Sequence, residues 1–377
     1  MTAPVVSVIM AAYNGSALIR ETIASLQAQT MADFEVIIVD DCSTDNTRAV
    51  LQSIADARFQ IIESSVNQGP VKTRNIAVGH ARGRYIAALD QDDLCYPQRF
   101  ARQVAYLESH PEIALVAGAA TLLENGAIRP SALPAITTPH LVEWMLGLLN
   151  PIVWSTVMLR SNVAQNLRPF GRPELLYAED FDLYHRMLRH GGIARIDDPV
   201  LHYRIHAGGA SQCYTKTMLD SSTRVLAESH ADIFGAEAPA RARLLIQHVM
   251  GGQPITDRAT LAAMGETLTM LQQHFIDRRK PGPDDLRLIR WETARLWAKL
   301  GRAGLRSGKL VLADVLAVRP DHLGLGYAGP NELLVSGLVG SVRALRGARR
   351  PESSTQKDPT VQTRACGGGR SQSRTSH

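Results

Sequence analysis

The sequence predicts an α/β protein: a Rossmann-like, mostly parallel sheet with helices on both faces, plus a C-terminal helical extension. Over the first hundred residues, short apolar runs alternate with segments of helical periodicity, which is typical of strand–helix–strand units. Beyond about residue 215 the pattern becomes helical. With 377 residues, 45% of them hydrophobic, the chain is long enough for one large domain and a smaller helical part.

Each predicted strand is a short apolar run, and each predicted helix shows apolar residues near helical spacing. The predicted strands are 5–10, 34–39, 59–62, 85–89, 112–118, 152–159 and 200–205. The predicted helices are 16–28, about 43–54, 70–80, 97–110 and 181–189. Asn125-Gly126 predicts a hairpin turn within 121–128.

We expect three regions along the chain. Residues 1–212 form the α/β domain, residues 213–350 form a helical C-terminal region, and residues 351–377 form a basic tail. The tail is rich in Ser, Thr, Arg, Gly and Gln and has almost no large apolar residue, which predicts disorder.

The composition argues against several classes of protein. The net charge of +5 is too modest to predict a nucleic-acid partner. The four cysteines are far apart and form no CxxC pair, so we expect neither a zinc site nor a disulfide framework, and a reducing compartment fits best. A signal-peptide pattern and an apolar run of roughly 18 residues are both missing. The sequence therefore predicts a cytoplasmic protein.

Three carboxylates, Asp90, Asp92 and Asp93, follow the strand predicted at 85–89. Carboxylates this close repel one another unless a cation or a proton separates them. A hard divalent metal is the simplest solution, and such metals in enzymes commonly sit on phosphates. The cluster predicts metal-assisted chemistry on a phosphorylated donor, with a structural acidic turn as the alternative.

Two other predicted strands also end in polar residues: Ala12 and Tyr13 after the first, and Asp40 and Asp41 after the second. Ligands of open parallel sheets bind beyond the carboxyl ends of the strands, so we expect these residues to form one site. The alternatives are a packing role for Tyr13 and a helix-capping role for the aspartates.

Competing phosphate and metal motifs fail on spacing. There is no Walker A sequence, and the GxGxxG match at 324–329 has no preceding strand and is followed by Pro330. Asp90-Gln-Asp92 begins like a calcium loop, but Leu94 stands at the next ligand position.

The motifs together resemble glycosyltransferase family 2, the inverting nucleotide-sugar-dependent enzymes of the GT-A fold. The resemblance covers roughly residues 4–210, and the order and spacing of its segments carry it. They are Val6-Ser-Val-Ile-Met-Ala-Ala-Tyr13-Asn14, Val36-Ile-Ile-Val-Asp40-Asp41-Cys-Ser43-Thr-Asp45, Asn67-Gln-Gly69, Arg74-Asn75-Ile-Ala, Gly83-Arg-Tyr-Ile-Ala-Ala-Leu-Asp90-Gln-Asp92-Asp93 and Ala178-Glu179-Asp180. The family often has Gly where Cys42 stands.

The resemblance implies a donor site at the strand ends. Tyr13 would stack on a nucleobase, and Asp41 would accept from a uracil N–H, with Asp40 as a near substitute. Arg74 would face the donor diphosphate, and the alternative is a solvated charge on a helix. Ala12 would also lie at the nucleotide. Mn²⁺ or Mg²⁺ would be held by Asp92, Asp90, Asp93 and His206. Asp90 would face either the ribose or the metal.

The resemblance also implies an acceptor side. Asp180 would be the general base that removes the proton of the acceptor hydroxyl, and Glu179 would orient Asp180 or the acceptor. Arg204 or His206 could reach the diphosphate or the metal, and the alternative for His206 is an ordinary histidine that binds no metal. The alternative for Glu179 and Asp180 is a pair that stabilises a helix N-terminus.

The expected function is metal-dependent, inverting transfer of a single sugar from a nucleotide sugar, more specifically a UDP-sugar, to a glycan, a lipid-linked molecule or another hydroxyl acceptor. A QxxRW-type segment is missing, which favours one sugar per encounter. Two alternatives stay open: a sugar-1-phosphate nucleotidyltransferase and an inactive nucleotide-binding scaffold. The first usually has a glycine-rich basic loop, whereas residues 11–15 hold one glycine and no lysine.

The segment 331–350 is apolar at first and then rich in arginine. It could lie on an anionic membrane surface beside a lipid-linked acceptor, as a peripheral contact at the cytoplasmic face. An ordinary packing helix with a basic exit is the alternative.

Overall fold

The structure is a computed structural model that describes residues 3–131, 134, 137–323 and 330–347. The strands are β1 (Val6–Ala12), β2 (Phe34–Asp40), β3 (Phe59–Glu63), β4 (Tyr85–Ala88), β5 (Leu94–Cys95), β6 (Ile113–Glu124), β7 (Ala127–Pro130), β8 (Met158–Arg160) and β9 (Gly192–Ile205). They form one sheet in the order β3-β2-β1-β4-β8-β6-β9-β5, and β7 pairs with β6.

The first half of the sheet is parallel: β1 pairs with β2 and β4, and β2 pairs with β3. The second half is mixed, since β8 is antiparallel to β4 and β6, whereas β9 is parallel to β6. The register places Ala12 opposite Asp40, and the Asp41 N–H donates to the Ala12 carbonyl at 2.8 Å. Consequently the strand ends that carry the predicted donor residues lie side by side.

Helices cover both faces of the sheet, as predicted. Alternate residues of β1 join different cores: Val8 and Met10 pack on one face and Ile9 on the other. The helices of the α/β part are α1 (Ile19–Gln27), α2 (Thr47–Gln52), α3 (Pro70–His80), α4 (Arg99–Ser109), α5 (Pro139–Leu146), α6 (Ser161–Asn166) and α7 (Glu179–Met187). Those of the C-terminal part are α8 (Ala210–Cys213), α9 (Thr215–Ser229), α10 (Ala231–Phe234), α11 (Ala238–Leu245), α12 (Arg258–Arg279), α13 (Pro283–Arg306), α14 (Leu312–Ala317) and α15 (Pro330–Gly347).

Some boundaries differ from the predicted ones. The strand expected at 152–159 begins at Met158, because Trp154–Thr156 forms a 3₁₀ turn in which the Thr156 hydroxyl bonds the Val153 carbonyl at 2.7 Å. The hairpin between β6 and β7 is confirmed, with positive φ angles of 50° at Asn125 and 79° at Gly126.

The C-terminal helices share a hydrophobic core with the sheet. Trp144 Nε1 of α5 donates to Thr293 Oγ1 of α13 at 3.0 Å, and Arg279 of α12 bonds Glu143 at 2.6 Å. The predicted boundary at 212/213 stays a prediction, and the predicted tail at 351–377 and the rejected glycine motif lie outside the described residues. Among the helices that the structure describes, none is long and apolar enough to cross a membrane.

Candidate active site

The loop after β1 is tied to the acidic cluster by Gln91. The Tyr13 N–H donates to Gln91 Oε1 at 3.0 Å, and Gln91 Nε2 donates to the Tyr13 carbonyl at 3.0 Å. Gly15 leaves space for this amide, since a Cβ there would lie 2.2 Å from Gln91 Oε1. The Tyr13 ring stays 37% exposed, whereas Ala12 is buried and contributes its backbone.

The two aspartates after β2 have different surroundings. Each oxygen of Asp41 accepts one backbone N–H, from Gln68 at 2.9 Å and from Gly69 at 2.8 Å. Asp40 is fully buried, accepts from the Ser43 N–H at 3.2 Å and retains one oxygen without a partner among the described residues. Neither carboxylate caps α2, which begins at Thr47. Asp41 therefore positions the loop that leads into α3.

Arg74 of α3 joins the two halves of the site. Its guanidinium bonds Asp90 at 2.6 Å and Glu179 at 2.5 Å, and it lies 5.3 Å from the centre of the Trp154 ring. Burial alone would lower the pKa of Arg74, but Asp90 and Glu179 raise it above its ordinary value. The carboxylates predicted for the donor side and for the acceptor side thus share one cation.

Asp92 lies beside His206, with Asp92 Oδ2 2.8 Å from His206 Nε2. Burial, and then the negative charge of Asp90, raise the pKa of Asp92. A carboxylate whose charge is disfavoured in this way would be stabilised by a bound cation.

Asp93 and Arg204 support the turn that carries Asp92. Asp93 is almost completely buried and accepts the Arg204 N–H at 2.9 Å. Burial and the charges of Asp92 and Asp90 raise its pKa well above the ordinary value. The Arg204 guanidinium bonds the Asp92 carbonyl and Glu21, so its contacts are with the protein.

The donor set fits a metal ion that is held jointly with a substrate. No group of three or more His, Cys, Asp and Glu side chains in the described ranges is arranged to hold an ion by itself. Asp92 and His206 offer an adjacent oxygen and nitrogen, whereas Asp90 bonds Arg74. Mg²⁺ commonly uses one or two carboxylates together with substrate phosphates and water.

Asp180 is held in the first turn of α7. Its Oδ1 accepts the Phe181 N–H at 2.7 Å, and its Oδ2 accepts from Asn150 Nδ2 at 2.9 Å. Burial, and then the negative charge of Glu179, raise the pKa of Asp180 to about 7. A carboxylate with a pKa near neutrality is well suited to general base catalysis.

Four buried polar atoms around Arg74 lack hydrogen-bond partners among the described residues. Buried polar groups in folded proteins are almost always bonded, so this cluster suits a polar ligand. The atoms are Arg74 Nε, Trp154 Nε1, Glu179 Oε2 and Tyr184 Oη.

Side-chain contacts join Arg74 with Asp90 and Glu179, and Asp92 with His206. Tyr13 is connected through Gln91, Asp41 through its backbone bond to Ala12, and Asp180 follows Glu179 in α7. Sequence reasoning missed Asn150, Trp154 and Tyr184. Tyr184 is four residues after Asp180 and so on the same face of α7, which is a usable signal. Asn150 and Trp154 stand in segments with no motif.

The sequence model of the family described as Glycosyl transferase family 2 matches residues 7–164. An uncharacterized glycosyltransferase of Haemophilus influenzae is 30% identical over 60% of this chain and 73% of its own length. The UDP-Glc:alpha-D-GlcNAc-diphosphoundecaprenol beta-1,3-glucosyltransferase WfaP of Escherichia coli is 32% identical over 58% of this chain and 84% of its own length.

Solved structures of S. aureus TarS share the fold. TarS 1-349 covers 91% of this chain and 91% of its own length, with 18% identity and a TM-score of 0.51. A longer TarS chain has a TM-score of 0.52 and 20% identity, and the alignment spans 75% of this chain and 54% of that one.

Proposed function

Because the chain belongs to glycosyltransferase family 2, we propose that it transfers a single sugar from a UDP-sugar to an acceptor hydroxyl, with inversion at the anomeric carbon. The observation that carries this proposal is the contact of Arg74 with both Asp90 and Glu179. It joins carboxylates from the predicted donor and acceptor motifs, so a donor and an acceptor bound there would be adjacent.

The nucleotide binds between Tyr13 and Asp41 in this proposal. The exposed Tyr13 ring is free to stack on a base, and the lone pairs that Asp41 retains can accept a base N–H. TarS has been solved in complex with UDP-GlcNAc, and the E. coli relative is named for UDP-Glc. Both names support a uridine nucleotide here.

Asp92 and His206 would hold Mn²⁺ or Mg²⁺, with Asp90 nearby and Asp93 supporting the turn. When bound, such an ion neutralises negative charge on the departing nucleoside diphosphate. The chain's own contribution is to hold Asp92 in place through Gln91 and Arg204, the residues that tie the cluster to the β1 loop and to β9.

Asp180 removes the proton of the attacking hydroxyl. The acceptor oxygen forms a bond to the anomeric carbon while the bond from that carbon to the phosphate oxygen breaks, and the proton moves to Asp180. Asn150 and the Phe181 N–H fix the carboxylate for this transfer. Glu179 bonds Arg74, and its negative charge raises the pKa of Asp180.

Asp92→Asn tests the donor half of the proposal. We expect loss of Mn²⁺-dependent UDP binding, measured by calorimetry, and loss of transfer, because the amide removes the negative ligand. Asp198→Asn is the matched control, since its side chain is 71% exposed. Mn²⁺-dependent UDP binding that is unchanged by Asp92→Asn would contradict the metal assignment.

The acceptor is proposed to be lipid-linked, with the protein at the cytoplasmic membrane face. The E. coli relative is named for a diphosphoundecaprenol acceptor. Helix α15 also exposes an apolar row, with Leu338 68% exposed, which suits a membrane surface. Binding to anionic vesicles that is unaffected by deletion of residues 331–377 would contradict the membrane contact. The row consists of Leu334, Val335, Leu338, Val339 and Val342.

A further inference from the structure

A cavity of about 730 Å³ lies between the α/β part and the C-terminal helices. One wall is formed by α5 and the loop after it, and the opposite wall by α13. The cavity reaches Asn150, whose Nδ2 donates to Asp180 at 2.9 Å. The cavity therefore ends one side chain away from the proposed base.

The α13 wall carries a row of charged side chains. Glu292, Arg295, Lys299 and Arg302 line the cavity, and their spacing of three and four residues places them on one helix face. Arg295 pairs with Glu292 at 2.6 Å, and Arg302 pairs with Glu332 of α15. Lys299 is exposed and has no ion pair with any described residue. One positive charge of the row is thus left for a ligand.

The remaining lining is largely apolar. Leu148 and Val249 are buried, whereas Leu149, Met250 and Leu296 are half-buried and face the same space. An aliphatic chain that covered these side chains would remove apolar surface from water, which is favourable. A free sugar would use neither this wall nor the cation, and a purely apolar molecule would not use the cation.

We propose that this cavity binds the anchor of the acceptor: an acceptor phosphate beside Lys299 and an aliphatic chain along the apolar wall. This inference rests on the proposed function, because it requires that Asp180 be the base. A molecule held in this way at Asn150 would present its sugar hydroxyl to Asp180. The C-terminal helices thereby supply acceptor specificity.

Farnesyl diphosphate is a suitable probe, used at saturating UDP so that the donor site is filled. We expect it to bind at least about tenfold more tightly than inorganic diphosphate or farnesol, since each lacks one half of the recognition. Lys299→Glu is expected to weaken farnesyl diphosphate binding about tenfold. Arg290→Glu, an exposed cation of the same helix outside the cavity lining, is expected to change it by less than about twofold.

Equal binding of farnesyl diphosphate to the unaltered protein and to Lys299→Glu would overturn the inference. Equal binding of inorganic diphosphate and farnesyl diphosphate would overturn it as well, because the apolar wall would then contribute nothing. UDP titrations separate this failure from failure of the proposed function. The unaltered protein and Lys299→Glu should bind UDP equally, whereas a protein that is not a UDP-sugar transferase would not bind it at all.

Discussion

At the scale of single residues, the proposed base is Asp180. Asn150 and the Phe181 N–H hold its carboxylate, while burial and Glu179 raise its pKa to about 7. Glu179 in turn bonds Arg74. The neighbours of Asp180 therefore set both its position and its proton affinity.

The rate of transfer should follow the ionisation of Asp180. A base acts when it is deprotonated, so kcat/KM should fall about tenfold per pH unit below about pH 7. Glu179→Gln removes the charge that raises the pKa of Asp180, and it should move this acidic limb to lower pH. The pH profiles of kcat/KM for the unaltered protein and for Glu179→Gln measure the shift of the acidic limb, whatever the change in maximal rate. An acidic limb that stays in place or moves upward would contradict the assignment.

Part of the candidate site could be predicted from the sequence. The motifs mark Asp90, Asp92 and Asp180 as candidate site residues, because clustered carboxylates at predicted element ends can be read directly from the sequence. The contact between Arg74 and Glu179 joins residues that are 105 positions apart. Local patterns carry no information on such a pair, so the sequence predicts a diphosphate contact for Arg74 but not its contact with Glu179.

At the scale of elements, the turn after β2 adopts a strained conformation. Cys42 has a φ of 62°, which costs a residue with a Cβ roughly 1–2 kcal/mol. The resemblance predicted glycine at this position, and the backbone angle supplies the physical reason. The turn is retained because Asp41 beside it holds the loop before α3.

Cys42→Gly should raise the free energy of unfolding by about 0.5–1 kcal/mol, because relief of the φ penalty exceeds the extra entropy of glycine in the unfolded chain. Urea unfolding measures the change. Cys42→Ala loses the same weak thiol contact with the Ser65 carbonyl but retains a Cβ, so it should show no gain. Equal stabilities of the two variants would refute this explanation.

The accuracy of the element predictions follows local burial. Strand β2 is buried along its whole length, so its apolar run is unambiguous. Strand β9 begins at Gly192 instead of the predicted residue 200, because the charged residues Arg195, Asp197 and Asp198 read as a loop. Arg195 nevertheless pairs with Ala117 of β6, and Asp197 and Asp198 lie at a register shift in that pairing. The partner strand, which the sequence does not reveal, decides that boundary.

At the scale of the whole molecule, the C-terminal helices complete the α/β part. Thr293 accepts hydrogen bonds from Trp144 of α5 and Gln272 of α12, and donates to the Ile289 carbonyl. The cavity beside Asn150 depends on the same packing. The helical periodicity of residues 213–350 predicted helices, but not the surface that they would cover.

Thr293→Val should lower the free energy of unfolding by about 2–4 kcal/mol, because two buried N–H donors lose their acceptor. Urea unfolding, followed by circular dichroism and tryptophan fluorescence, should show coincident transitions that shift together. Thr269→Val is the control, since that hydroxyl bonds the Gly265 carbonyl of its own helix and should change stability by less than about 0.5 kcal/mol. A shift in one signal alone would indicate that the helical region unfolds independently.

The most direct test of the central claim, that Asp180 is the base beside a bound donor, compares transfer with donor binding in Asp180→Asn. The amide retains the shape of the carboxylate but cannot take up the proton. We expect kcat to fall by about 10²–10⁴-fold, while UDP binds within about twofold of its affinity for the unaltered protein. Full transfer activity in Asp180→Asn would contradict the account.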